Sequence, residues 1–190
     1  MEISVKSARP SPTPRKPTGR RRIMLLRSVP MALWLLADIV LVAIHRSVPE
    51  ANWLMVHLLL LGAVSNAIVV WSTYFADAVL RVPGSHAVRD RIVLTALNVG
   101  GVGVVVGLVT YPGRGGGSWS PWLLYGGAIL FGAAALIHVG GLLHQLRTGL
   151  AGRFVIAVRF YVAAALGLPL GAWLGVLMAS NPPRHAHYLL

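Results

Sequence analysis

Five apolar stretches, each about as long as a bilayer is thick, follow one another along this 190-residue chain, separated by short basic or Gly/Pro-rich breaks. A hydrocarbon core of about 30 Å takes roughly 20 residues at a helical rise of about 1.5 Å. Inside lipid every backbone N–H and C=O must be satisfied within the protein, and runs of this length do so as helices. The chain is therefore expected to be all-α, a polytopic transmembrane helix bundle with spans near residues 29–44, 53–75, 92–111, 122–143 and 160–179. Composition agrees: 56% of residues are hydrophobic, 12% are charged and the mean hydropathy is +0.70, more apolar than a soluble domain of this size needs to be.

Several chemistries are excluded at once. The chain has no cysteine, so disulfides, thiolate-held iron–sulfur clusters, Cys-x-x-Cys-His haem attachment and blue-copper sites are ruled out within these residues. A redox cofactor here has to rest on His or Met. There is no His-Glu-x-x-His, no Gly-x-Ser-x-Gly and no Walker loop, which argues against a self-contained hydrolase or ATPase.

The net charge of +12 is concentrated rather than spread. Lys6, Arg9, Arg15, Lys16, Arg20, Arg21, Arg22 and Arg27 precede the first apolar run in a Pro- and Ser-rich segment. Residues 1–27 accordingly read as a disordered basic cytoplasmic tail whose partner is anionic lipid headgroups, not nucleic acid. The break after span two holds Arg81, Arg89 and Arg91, and that after span four Arg147 and Arg153; the alternate breaks hold only Arg46, Arg114 and Arg184. Since Lys and Arg are retained on the cytoplasmic side, the expected topology in the cell membrane has the amino terminus inside and the last described span emerging on the outer side. Residues 28–180 form the transmembrane domain in this reading. After a turn at Asn181, Pro182, Pro183 and Arg184, the stretch 181–190 reads as an outer turn and the start of a sixth span, as in a fragment of a longer protein.

Within lipid, helices associate through small residues and polar contacts. Gly103 and Gly107 lie on one side of span three, and Gly167, Gly171 and Gly175 form a flat track on span five, which Pro169 should kink. On span two, Gly62, Asn66, Thr73 and Asp77 fall on one face, and on span four Gly127, Phe131, Ala134, His138 and Gln145 share another. Asp38, near the middle of span one, is the most costly residue: an ionised carboxylate at mid-membrane is unfavourable by about 2.5–3.5 kcal/mol. His138, Arg159 and the neutral Asn66 are its candidate partners. A bundle with a polar path through Asp38, Asn66 and His138 would be a transporter or channel.

A second constellation lies at the outer face, where His57, one turn inside span two, meets His185 and His187, with Met178 as a soft neighbour. Imidazole is a common ligand of copper and haem iron, so these three histidines are the candidate cofactor- and metal-binding residues, with haem or copper as the cofactor. Interfacial hydrogen bonding is the plainer alternative for the same side chains.

The run His57, Leu58, Leu59, Leu60, Leu61, Gly62, Ala63, Val64, Ser65, Asn66, Ala67, Ile68 and on to Trp71, with His185 and His187 entering a further span, resembles the membrane region that precedes the copper domains of actinobacterial multicopper oxidase and copper nitrite reductase-like proteins. More distantly it is similar to haem–copper oxidase-related membrane proteins. The resemblance covers the membrane part only. It implies an integral membrane domain of a copper-dependent redox protein that anchors downstream extracytoplasmic copper domains and carries electrons through a His-ligated haem or metal. The oxidase chemistry would then belong to those domains and not to these residues.

Overall fold

A computed structural model of the chain describes residues 18–48, 51–80, 87–110, 117–149 and 155–180. Among the described residues there is no strand, and the order is α1 (Thr18–Ile44), a 3-10 turn (His45–Ser47), α2 (Ala51–His57), a π-helical segment (Leu58–Val64), α3 (Ser65–Leu80), α4 (Ala87–Val109), α5 (Ser120–Thr148) and α6 (Val155–Ser180). With α2, the π segment and α3 continuous, five helical rods are long and apolar enough to cross a membrane, as the sequence predicts. α1 starts at Thr18, inside the segment read from sequence as tail. Residues 181–190, with the expected sixth span, His185 and His187, lie outside the described residues.

Three apolar clusters hold the rods together. Leu41 of α1 packs with Ala51 and Leu58 at the Ile44 end. Val69, Val93, Leu97, Phe131 and Ala134 join α3, α4 and α5 at mid-height. Ala76, Leu80, Val139, Leu142, Val158 and Val162 join α3, α5 and α6 at the Arg27 end. α5 is the most enclosed rod and α1 the least, so α1 turns most of its apolar surface outward, as a lipid-facing helix does.

The closest backbone approach is between α4 and α5. A Cβ at Gly100 would lie 2.6 Å from the Phe131 backbone nitrogen and 2.7 Å from the Gly127 carbonyl, and one at Gly103 3.2 Å from the Gly127 Cα. Glycine is required there because the atoms opposite are main chain and cannot turn aside. The other glycine track behaves differently: none of the described residues comes within 4 Å of a Cβ position at Gly167, Gly171 or Gly175. α6 therefore presents its small-residue side away from the bundle.

Candidate functional site

The polar residues of the membrane interior meet in the bundle at three levels. At mid-height, Asn66 and Asn98 pair reciprocally: Asn98 Nδ2 donates to Asn66 Oδ1 at 2.9 Å, and Asn66 Nδ2 donates to Asn98 Oδ1 at 3.1 Å. The remaining amide hydrogens go to carbonyls one turn back, Asn66 to Gly62 at 2.8 Å and Asn98 to Leu94 at 2.7 Å. Trp34 Nε1 of α1 donates a 2.7 Å bond to the same Asn98 oxygen. Both lone-pair directions and both hydrogens of Asn98 are thereby used, and three rods are tied at one point.

Trp34 reaches Asn98 because glycines make room for it. A Cβ at Gly62 would collide with the Trp34 indole, and Gly101 of α4 would place one 3.5 Å from its far edge. Gly62→Ala is therefore expected to push the indole off Asn98 and to cost about 1–3 kcal/mol, the usual range for overpacking. A lower thermal midpoint in detergent with a red-shifted, more quenchable tryptophan emission would register it; an unchanged midpoint would show that Trp34 moves freely.

One level toward the Arg27 end, Ser72 Oγ and His138 Nε2 stand 2.8 Å apart, both side chains buried. Below them Gln145 Nε2 donates to Asp77 Oδ1 at 3.0 Å, while Gln145 Oε1 is buried with no hydrogen-bond partner. At that end an ion pair enters the apolar boundary: Asp90 takes Arg27 on one oxygen at 3.0 Å and Arg89 on the other at 3.4 Å. The Arg89 guanidinium lies across the backbone of α5 where a Cβ at Gly141 would stand. Asp90 offsets part of the positive charge that Arg27 and Arg89 bring to the apolar boundary at that height.

Asp38 is different. Trp34, Asp38 and Leu41 lie on one face of α1 at positions i, i+4 and i+7, and the two flanking side chains both pack on the π-helical segment, Trp34 over Gly62 and Leu41 against Leu58. Asp38 Oδ1 is buried between these contacts and has no hydrogen-bond partner. None of the three partners expected from sequence reaches it: His138 is with Ser72, Asn66 with Asn98, and Arg159 is exposed on α6. The segment it faces is itself unusual, since a π turn replaces the i−4 hydrogen bond by one from i+5 and occurs frequently at functional sites. Ser65 Oγ donates to the Leu60 carbonyl, five residues back, at 2.7 Å.

The histidines divide. His57 is half-buried, with its ring stacked on Trp53 at 3.5 Å between centroids and Nδ1 placed 2.8 Å from the Trp53 carbonyl. It thus turns onto its own helix. Among the described residues no group of three or more His, Cys, Asp or Glu side chains is arranged to hold a metal ion. His185 and His187, the other two expected ligands, are outside the described residues, as is His86.

Asn98, Trp34 and Ser72 are site residues that sequence reasoning missed. The available signal for Asn98 was depth: it is midway along an uncharged span, at the same height as Asn66. The chain matches no protein-family model, no curated protein and no solved structure.

Proposed function

We propose that this bundle is a transporter- or channel-like membrane protein that passes a proton or small cation along a polar path through Asp38, Asn66 and His138. The observation that supports the reading is the Asp38 oxygen, buried against a π-helical segment with nothing bonded to it. An intramembrane carboxylate left open in this way is stabilised by whatever cation arrives, and intramembrane ionisable groups commonly mark ion pathways. The inward-turned polar groups continue from it. Asn66 and Ser72 are six residues apart on α3, about 9 Å at a helical rise, and His138 joins Ser72 across to α5. The distribution of Lys and Arg supports placing Arg27 and the amino terminus on the cytoplasmic side of the cell membrane, which would open the path outward from Asp38 and inward toward Asp77. The test is proton uptake into proteoliposomes under a valinomycin potassium potential, read with trapped pyranine. Uptake above protein-free vesicles is expected, and vesicles no leakier than the lipid would overturn the reading.

A second reading keeps the membrane domain of a copper-dependent redox protein, anchoring extracytoplasmic copper domains, because one observation favours it. His57 Nδ1 is engaged by the Trp53 carbonyl, leaving Nε2 as the ligating nitrogen in the manner in which metal-bound imidazoles are commonly held. His185 and His187 would complete the set around haem or copper. This reading predicts a Soret band or stoichiometric copper in purified protein and its loss, with the fold intact by circular dichroism, in His57→Ala. Protein free of haem, copper and iron would remove it.

A further inference from the structure

α1 and α4 are not in close backbone contact and are joined by side chains, Arg27 with Asp90 and Trp34 with Asn98. Beside these bridges lies a groove of about 570 Å³, formed on one side by Pro30, Leu33 and Trp34 and on the other by Leu94, Asn98 and Val102. That volume falls in the usual range of ligand pockets, about 300–1,000 Å³. The groove opens outward, on the side of the least enclosed rod, and follows the helix axes for about 10 Å.

Its floor selects the kind of occupant. Asn98 is the amide in the lining, and its oxygen already accepts from Trp34 and Asn66 while its hydrogens go to Asn66 and Leu94. No position of that amide is left for a quinone carbonyl or a sterol hydroxyl, and the Thr95 hydroxyl is the other polar group of an otherwise apolar lining, which suits a hydrocarbon chain. The foot of the groove selects the rest. Arg27 stands one turn before Pro30 on α1, and Arg91 one turn before Leu94 and Thr95 on α4, exposed. Arg27, Arg89, Asp90 and Arg91 leave this end of the groove with an excess of two positive charges, beside the positive end of the α4 dipole.

We infer that the groove between α1 and α4 holds an anionic phospholipid, one acyl chain lying along Leu33, Leu94 and Val102 and the phosphate at Arg91 and Arg27. The site requires only that the bundle sit in a bilayer, and it stands whether or not ions pass through Asp38. It differs from a diffuse attraction to the basic amino-terminal segment in being one lipid deep and in fixing where the chain goes.

Trp34 is a reporter built into the wall. The full-length protein is placed in phosphatidylcholine nanodiscs containing a few mole per cent of acyl-brominated phosphatidylglycerol or of acyl-brominated phosphatidylcholine. Quenching due to Trp34 is taken as the difference between wild type and Trp34→Phe. The brominated anionic lipid is expected to quench Trp34 at least threefold more than the zwitterionic one. Arg91→Gln, a change at an exposed side chain, should reduce that preference to near unity. Leu33→Phe, which fills the groove without adding a tryptophan, should abolish the preference with both arginines intact. Equal quenching by the two lipids overturns the proposal, and so does a preference that survives Arg91→Gln. Loss of the difference between the two brominated lipids on adding an equal mole fraction of a short-chain quinone would overturn it in favour of a ring-headed ligand.

Discussion

Gly127→Leu is expected to prevent the bundle from assembling, while Gly126→Leu, one residue earlier on the same helix, should leave it unchanged. A Cβ at position 127 would stand 2.7 Å from the Gly100 carbonyl oxygen, 2.7 Å from the Val104 nitrogen and 2.9 Å from the Gly103 carbonyl carbon. All three are main-chain atoms of α4. Relief therefore requires the helices to separate, and separation undoes the neighbouring contacts of Gly100 with Phe131 and of Gly107 with Ser120 and Leu124. In lipid there is little hydrophobic gain to hold helices together once close packing is lost. The penalty belongs at the top of the overpacking range, about 3 kcal/mol or more, a large share of a typical net stability of about 5–15 kcal/mol. At Gly126 nothing lies within 4 Å, so a leucine there adds only lipid-facing surface and should shift stability by no more than about 0.5 kcal/mol. Thermal unfolding in detergent, followed by circular dichroism and by the monodisperse fraction on size exclusion, separates the two. Equal behaviour of the two variants would mean that the α4–α5 seam is not close-packed.

The same pair of positions explains what could be read from sequence. Number and identity of the rods follow from span length alone, and among the described residues that reading holds: five rods, all helical. The faces of single helices were also legible, because a period of 3.6 residues carries Gly62, Asn66 and Thr73 to one side, and all three are buried. Which face meets which neighbour was not legible. Gly103 and Gly107 on α4 and Gly167, Gly171 and Gly175 on α6 carry the same four-residue spacing, yet the first track is filled by α5 and the second by none of the described residues. Spacing encodes the capacity for close approach, whereas the partner is chosen by the order in which the rods pack.

The π-helical segment was hidden for a different reason. Leu58–Val64 is a run of helix-forming apolar residues with one glycine, and nothing in its composition distinguishes i+5 from i+4 bonding. Angular arithmetic at 100° per residue drifts with every π-bonded residue crossed, so it places Gly62 relative to Asn66 better than it places His57, which stands before the whole segment. The Asn66–Asn98 pair, by contrast, needs only the depth of each residue and the antiparallel course of the rods.

Asp38→Asn is expected to reduce potential-driven proton uptake at least tenfold without unfolding the protein, whereas Asp38→Glu should retain a measurable fraction of it. Asparagine keeps the shape of the side chain and removes the capacity to take up a proton or to attract a cation. Nothing is bonded to Asp38 Oδ1 in the folded chain, so the substitution breaks no contact at that atom. It also removes a carboxylate charge whose ionised form is unfavourable by about 2.5–3.5 kcal/mol at mid-membrane, and the thermal midpoint should therefore stay level or rise. A carboxylate that merely braced helices would behave in the opposite way: Asp38→Asn would lower the midpoint, and flux would fall only in proportion to folded protein. Measuring uptake per folded molecule, with the midpoint determined on the same preparation, decides between the two. Full uptake by a stable Asp38→Asn bundle would place the conducting path elsewhere, and it would leave the α1–π seam as packing alone.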